Sequence, residues 1–213
     1  MLAEVTHDQR LRVVCVSPFV PHPGINHAGG KLLYDYLSRL VQSAEVTLIA
    51  PGYPQNQWAV AYSPPRVKVK LFAVGSRWSL HARALLRHPR DGIFGLTDGV
   101  IVLSGFEADR EVAALVGDAD IVEVQFAQFL PLLDAIRCIA GTSNLAAWEH
   151  DVFSDHIDDV LRDRPSIRRR LQSYGRRRWI PQEERRLLNL CSAVIAQQQG
   201  CPADSWARGS HAD

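Results

Sequence analysis

The sequence lacks the features that would place it across a membrane, outside the cell or on nucleic acid. It has no run of about 18 apolar residues that could span a bilayer, and its first ten residues contain no apolar segment of a signal peptide. Its net charge of +1 gives no general attraction to nucleic acid. Its four cysteines form no CxxC pair, and Cys15 and Cys191 lie in apolar runs, so we expect core thiols in a reducing, cytoplasmic setting.

The fingerprints of the common α/β enzymes are also missing. No GxGxxG follows the first apolar run, which argues against a dinucleotide site. The sequence has no GxxxxGK[ST] motif, so it is not a P-loop NTPase. It has no GxSxG elbow either, which argues against an α/β-hydrolase.

The chain is organised around segment 11–31, LRVVCVSPFVPHPGINHAGGK. Its apolar, β-branched run Val13–Val16 predicts a strand buried on both faces, and a loop with three prolines follows. Directly after Gly29 and Gly30, apolar residues recur every three or four positions, which predicts a helix. Two glycines at a helix N-terminus let an anion approach free backbone N–H groups, which favours phosphate there. The alternative is a tight turn without a ligand.

Strand and helix patterns alternate along the chain. Strands are predicted at 45–50, 67–72, 120–126, 144–148 and 192–196, and helices at 78–86, 106–116, 128–139 and, rich in arginine, 152–190. Residues 53–66 contain three prolines and are predicted to be a loop. The alternation predicts an α/β fold over residues 11–197, a Rossmann-like parallel sheet with helices on both faces. Residues 1–10 are expected to be a frayed leader, and 198–213 a disordered or truncated tail.

Polar residues gather where predicted strands end. Ligands of a parallel sheet bind beyond the carboxyl ends of its strands, so the loops after the first, fourth and fifth predicted strands are expected to form one site. The densest cluster there is Glu149-His150-Asp151. His150 can hydrogen-bond a ligand hydroxyl or carry a proton near neutral pH; alternatively, Asp151 caps a helix and His150 is only solvated. Gln125 either faces the site or is an ordinary polar loop residue.

Two groups of residues have side chains that are common in functional sites, but their spacing in the sequence does not match a known site. His22, His27, His150 and His156 form no HxH or HExxH pair, so no metal site is predicted. Ten arginines and three acidic residues lie between 162 and 186, a local charge of +7. This arginine stripe either contacts acidic lipid headgroups, anionic substrates or nucleic acid, or is a solvated helix face. Few aromatic residues are interleaved, which weakens the nucleic-acid interpretation.

The order of these segments resembles that of the N-terminal domain of GT-B glycosyltransferases of the family-4 type. The loop SPFVPHPGINHAGG is similar to their SP-x-x-P-x-x-GG loop. Segment 119–126, ADIVEVQF, and segment 147–152, AWEHDV, are similar to two of their later strand ends. The arginine-rich region and the strand CSAVIA after it resemble their long helix and the strand that follows. The resemblance covers residues 11–197.

The resemblance implies roles for single residues. Gly29 and Gly30 match the loop that lies against the phosphates of a nucleotide-sugar donor. His150 matches a histidine close to the transferred sugar and would be the catalytic residue. The acceptor-side residues would be His27, Lys31, Gln125, Glu149 and Asp151. Enzymes of this type retain the anomeric configuration and need no metal, so no cofactor is expected.

The resemblance also implies that the site is shared with a second domain. A complete GT-B enzyme has another Rossmann-like domain that holds most of the nucleotide-sugar, whereas this sequence ends at Asp213. We therefore expect the acceptor-binding half of the enzyme, incomplete alone and completed by a partner chain, with a glycan, lipid or small molecule as acceptor. The alternatives are a non-catalytic binding module that keeps the fold and, less favoured, an α/β regulator that binds nucleic acid. A homodimer and peripheral contact of the arginine stripe with the inner face of the membrane are further expectations.

Overall fold

The computed structural model describes residues 10–74, 98–141, 144–149, 185–186 and 189–196. Within these ranges six strands form one sheet in which every neighbouring pair is parallel. The strands are β1 (Leu11–Val16), β2 (Ala44–Pro51), β3 (Lys68–Phe72), β4 (Ile121–Gln125), β5 (Asn144–Glu149) and β6 (Ala193–Ala196). Their order across the sheet is β3-β2-β1-β4-β5-β6. The predicted α/β, Rossmann-like fold is confirmed.

Helices and short turns connect the strands and cover both faces of the sheet. The helices are α1 (Ala28–Leu40), α2 (Pro54–Ala59), α3 (Asp98–Ala108), α4 (Arg110–Gly117) and α5 (Leu133–Ala140), with 3-10 turns at Val60–Tyr62 and Ala127–Leu132. On one face, Leu33 and Leu37 of α1 pack against β1 and β2. On the other face, α3, α4 and α5 form a second core that includes Phe106 and Ile136.

Strand β1 is buried on both faces because its side chains alternate between the two cores. Val13 and Cys15 point into the core on the α1 side, and Val14 and Val16 into the opposite one. All four are at most 3% exposed. Burial on both faces is why this strand reads as a continuous apolar run rather than as an alternating one.

The prediction of a loop at 53–66 is wrong for most of that segment. Residues Pro54–Ala59 form α2, and Val60–Tyr62 form a 3-10 turn. Pro54 lies in the first turn of the helix, where the N–H that proline lacks has no intrahelical partner. This proline therefore marks the start of a helix rather than an irregular segment.

Two predicted helices exist but are interrupted. The helix predicted at 106–116 is divided at Asp109, whose carboxylate caps α4 by accepting from two N–H groups of its first turn. The helix predicted at 128–139 starts as a 3-10 turn that contains Pro131 and becomes α5 at Leu133. At both places a residue with a strong local preference overrides the apolar periodicity.

Other predictions concern residues outside the described ranges and stay predictions. They are the helices at 78–86 and at 152–190, apart from 185–186 and 189–190, nearly all of the leader at 1–10, and the tail at 198–213. In the part of the chain that the structure describes, no helix has the length and hydrophobicity needed to cross a bilayer.

Candidate functional site

The candidate site lies where the direction of strand succession reverses. From β1 the chain continues to β2 and β3 on one side, and from β4 it continues to β5 and β6 on the other. In parallel α/β sheets such a reversal opens a crevice beyond the strand ends, where ligands bind. Strands β1, β4 and β5 lie side by side, with Val16 opposite Val124 and Gln125 opposite Trp148. The loops that follow these three strands therefore start at one edge, as predicted.

His27 caps the helix that begins at this edge. Its backbone is extended, with φ −114° and ψ 148°, and its Nδ1 accepts a hydrogen bond of 3.0 Å from the Gly30 N–H. An accepting Nδ1 places the proton of the neutral ring on Nε2. The His27 carbonyl also accepts from the Lys31 N–H at 3.3 Å. One of the two glycine amides predicted to face a phosphate is thus already bonded within the protein.

Gly30 is required by packing as well as by the cap. A β-carbon at this position would overlap Cδ1 of Ile25 and lie 2.8 Å from Cε1 of His27. Ile25 is held there by a turn in which its N–H donates to the His22 carbonyl at 3.1 Å. The absence of a side chain at Gly30 therefore lets the first loop pack directly against the start of α1.

Three aromatic rings join the first loop to the end of β4. Phe19 and His27 pack edge to face, with ring centroids 4.7 Å apart. Phe19 also packs against Phe126, with the two rings tilted by 54° and their centroids 4.8 Å apart. Phe126 has a φ of 73°, the left-handed region that bulky side chains rarely adopt. Its N–H donates to the Trp148 carbonyl at 2.9 Å, which holds this conformation against β5. Strained backbone of this kind, at a cost of about 1–3 kcal/mol, is concentrated at functional sites.

A buried carboxyl group lies behind this edge, on the α1 side of the sheet. Glu123 in β4 is 7% exposed. Its Oε1 accepts from the Tyr36 hydroxyl at 2.6 Å. Its Oε2 accepts from the Cys15 thiol at 3.3 Å and from the Gln125 amide at 3.1 Å. Sequence reasoning missed this residue, although a glutamate between two valines in a buried strand is a signal that could have found it.

The electrostatics of this carboxyl cluster follow from its burial. Burial raises the pKa of Glu123, and hydrogen bonds from Tyr36, Cys15 and Gln125 act in the opposite direction by stabilising the charged form. Burial, with the neighbouring carboxylate as a further cause, also raises the pKa of the Cys15 thiol and of the Tyr36 hydroxyl. Both groups therefore keep their protons at neutral pH and act as donors. The described hydrogen-bond partners of Glu123 are uncharged donors, and none of them is a cation.

The carboxyl cluster connects the three elements that border the candidate site. Tyr36 comes from α1, Glu123 from β4, and the Tyr36 ring also packs against Trp148 of β5 with centroids 4.8 Å apart. These contacts join α1, at Tyr36, to both β4 and β5. We infer that the cluster sets the geometry of the site without belonging to its solvent-facing surface.

The described structure accounts for some of the predicted site residues. Gly29 and Gly30 lie in the first turn of α1, and Lys31 is exposed beside them. Gln125 is fully buried and bonded to Glu123, so its amide is part of the carboxyl cluster. Glu149 is the last residue of β5, and nothing is described of its side chain. His150 and Asp151 lie outside the described residues, so the predicted catalytic role of His150 stays a prediction.

Metal binding was not predicted, and the described ranges contain no group of three or more histidine, cysteine or acidic side chains that could hold an ion. His150 and His156 are not among these residues. The expectation of a metal-free site therefore rests on the spacing in the sequence.

Comparison with known proteins adds no family to this picture. No family model matches the chain. No curated protein matches it at a significant level. The chain is thus classified by its Rossmann-like α/β fold alone, and its activity is proposed below.

Proposed function

We propose that this chain is the acceptor-side domain of a retaining, nucleotide-sugar-dependent glycosyltransferase with the GT-B arrangement. The observation that carries the proposal is the position of Gly29. It lies in the first turn of α1, beside the point where strand succession reverses, at the end of the long loop that follows β1. A helix N-terminus at such a point combines free N–H groups with the positive end of a helix dipole, and both favour a phosphate group.

In this proposal the first turn of α1 stabilises the diphosphate that leaves the donor. The Ala28 and Gly29 N–H groups donate to no partner within the described residues, and Lys31 adds a positive charge one residue beyond Gly30. Hydrogen-bond donors that are fixed before the reaction stabilise the developing negative charge without reorganisation. His150 would hydrogen-bond the sugar near its reacting carbon. The acceptor would lie between the first loop and Glu149–Asp151.

The setting of the protein belongs to the same proposal. A second domain, which a partner chain could supply, would hold most of the nucleotide-sugar. Alternatively, a second copy of this chain would cover the face that the second domain would contact. The acceptor would be a glycan, a lipid or a small molecule. The protein would be cytoplasmic, with the arginine stripe at 162–186 as a peripheral contact to acidic lipids.

The test uses a pair of variants that differ only in charge. The ¹⁵N-labelled chain is titrated with UDP and with GDP, and the amide resonances of the first turn of α1 are followed. We expect the Ala28 and Gly29 resonances to shift and saturate. Gly29→Asp should weaken binding at least about tenfold, because a carboxylate would occupy the place of the phosphate. The same charge at a helix N-terminus favours the fold, so loss of binding cannot be attributed to unfolding.

Gly29→Asn is the control, because it adds a side chain of the same shape without the charge. Equal affinity of the Asp and Asn variants, or shifts confined to other parts of the chain, would remove the phosphate site from α1. Calorimetric titration with UDP- and GDP-sugars, with and without a neighbouring gene product, then asks whether donor binding needs a partner. Sugar transfer that depends on His150 in the completed enzyme is the final requirement.

A second candidate is a binding module that keeps the fold and performs no transfer. The observation that favours it is the hydrogen bond from the Gly30 N–H to His27, which leaves one amide fewer for a phosphate. This candidate predicts acceptor binding without any nucleotide effect on the first turn of α1. The same titration therefore separates the two candidates.

A further inference from the structure

Three aromatic side chains, the exposed Trp58 and Tyr62 and the half-buried His22, form a surface beside the candidate site. Trp58 of α2 and His22 of the first loop pack edge to face, with ring centroids 5.0 Å apart. Trp58 also packs against Tyr62, with the two rings tilted by 41° and their centroids 4.8 Å apart. Trp58 is 57% exposed and Tyr62 is 51% exposed. We call these three residues the aromatic platform. None of them has a role in the proposed phosphate site.

The aromatic platform is held rigidly to the first loop by a buried asparagine. Asn56 is 4% exposed and lies in the same short helix as Trp58. Its side-chain oxygen accepts from the Val20 N–H at 3.0 Å, and its amide donates to the carbonyls of Pro18 at 3.1 Å and Pro51 at 2.8 Å. These bonds fix α2 to the loop that leads to Gly29. A ligand on the aromatic platform would therefore meet rings whose positions are already set, with little conformational entropy left to lose.

The composition around the aromatic platform selects an uncharged ligand. Residues 13–30 and 46–65, which supply the first loop, α2 and the 3-10 turn after it, contain no aspartate, glutamate, lysine or arginine. Nucleic acids and acidic lipid surfaces are bound through lysine and arginine, which these segments do not provide. Their exposed polar side chains include the amides of Gln55 and Gln57. Flat aromatic faces with neutral amides beside them suit a ligand that has an apolar face and hydroxyl groups at its rim.

We propose that the aromatic platform binds the pyranose ring of an uncharged saccharide. One face of a pyranose presents C–H groups that pack on an indole or phenol ring, while its hydroxyls hydrogen-bond to amides. Trp58 supplies the central stacking face, and Tyr62 and His22 limit how the sugar ring can tilt. The identification of this saccharide as the acceptor of a transfer reaction rests on the proposed function. The binding itself rests only on the aromatic platform.

The test follows the indole N–H resonance of Trp58 in the full chain. The probes are the methyl glycosides of glucose, galactose, mannose and N-acetylglucosamine, together with maltotriose. We expect at least one probe to shift this resonance in a saturable way. Trp58→Ala should weaken that binding by about tenfold, and Trp58→Phe should retain part of it, because the phenyl ring keeps an aromatic face. Leu11→Ala is the control, since Leu11 is 54% exposed at the amino end of β1.

Each outcome either supports or overturns the inference. No saturable shift with any of these pyranosides overturns it, as does equal binding by the Trp58→Ala and parent chains. Binding to phosphatidylcholine vesicles that needs Trp58, without saccharide binding, also overturns it in favour of a membrane contact. Far-ultraviolet circular dichroism and thermal unfolding check that each variant is folded. Saccharide binding without a UDP or GDP effect at Gly29 would reject the proposed function alone, whereas the reverse pattern would reject the aromatic platform alone.

Discussion

Glu123 is a carboxyl group in a place that disfavours its charge. It is buried between the two central strands and α1, and its described hydrogen-bond partners are the neutral donors of Tyr36, Cys15 and Gln125. Such a group either serves a function or is compensated elsewhere, since an apolar residue would fill the same volume without desolvation. Its contacts to the elements that border the site point to a positioning role.

The first prediction concerns the pH dependence of stability that Glu123 creates. Because burial raises its pKa, the folded chain binds this proton more tightly than the unfolded chain does. The resulting stabilisation is fully present below about pH 4.3, the ordinary pKa of glutamate, and is lost as the pH rises through the raised pKa of the folded state. Glu123→Gln should remove this downward slope, as measured by urea unfolding at a series of pH values.

The control for this measurement is Asp35→Asn, which removes an exposed carboxylate from the same helix that carries Tyr36. This variant should retain the slope of the parent chain. An unchanged slope in Glu123→Gln would mean that the carboxyl group titrates alike in the folded and unfolded states. The positioning role would then lose its electrostatic basis, although the contacts would remain.

At the scale of elements, the approach of α3 to the end of β3 depends on one glycine. A β-carbon on Gly105 would overlap the backbone carbonyl oxygen of Ala73. Next to this contact, Phe106 of α3 packs edge-on against Phe72 of β3, with centroids 5.6 Å apart. Backbone atoms cannot rotate away as a side-chain end can, so helix and strand would have to separate.

The second prediction follows from this contact. Gly105→Ala should lower the free energy of unfolding by about 1–3 kcal/mol, as overpacked substitutions do, despite the better helix propensity of alanine. Gly117→Ala is the matched control in α4, because its β-carbon would lie 3.9 Å from its nearest neighbour, the Ile139 carbonyl oxygen. It should be neutral or stabilising by up to about 1 kcal/mol. Chemical denaturation measures the free energy of unfolding of both variants. A Gly105→Ala protein as stable as the parent chain would contradict the close approach.

The elements also show what could be predicted from the sequence and what could not. Strand β1 was predictable because burial on both faces leaves the continuous apolar run Val13–Val16, and β2, β4 and β5 because they are short, mostly apolar segments. That the loops after β1, β4 and β5 start at one edge followed from the rules for parallel sheets, whereas the order of the strands was not predicted. The helix α2 was missed because the rule that treats prolines as breakers ignored the first-turn position of Pro54.

The candidate site was less predictable than the fold, because its details depend on contacts between distant residues. Cys15 and Glu123 are hydrogen-bonded across 108 positions of sequence. The cap formed by His27 was missed because histidine is not among the residues preferred there. The aromatic platform was hidden because Trp58 and Tyr62 lay in a segment predicted to be a loop.

At the scale of the whole molecule, the sheet has a protected centre and weaker sides. β1 and β4 lie at the centre of the sheet, whereas β3 and β6 are its outermost described strands. Most of β3 is half-buried or exposed, and Val194 and Ile195 of β6 are 43% and 39% exposed. Lysines at 68 and 70 form ion pairs on the β3 side. Charged side chains on an outer strand discourage pairing with a second sheet.

The third prediction is a gradient of hydrogen exchange across the sheet. Amides of β1 and β4 should exchange only through global unfolding, because both of their faces are buried and both of their sides are paired. Amides of β3 and β6 should exchange faster, through local opening. Exchange measured by mass spectrometry with peptides that cover each strand tests this. Protection of β6 equal to that of β1 would show that another part of the chain, or a second copy, covers this side.

The strand order has a consequence for how the protein is made. β1 is synthesised first among the described strands, yet one of its two neighbours is β4, whose last residue is Gln125. At about 5–20 residues per second, the ribosome takes roughly 5–20 s to travel from the end of β1 to the end of β4. During that interval β1, with its apolar run Val13–Val16, has one open side, and closing the loop between the two strands is slow because their contacts are distant in sequence. The nascent chain thus passes through a stage in which β1 is open to pairing with other chains.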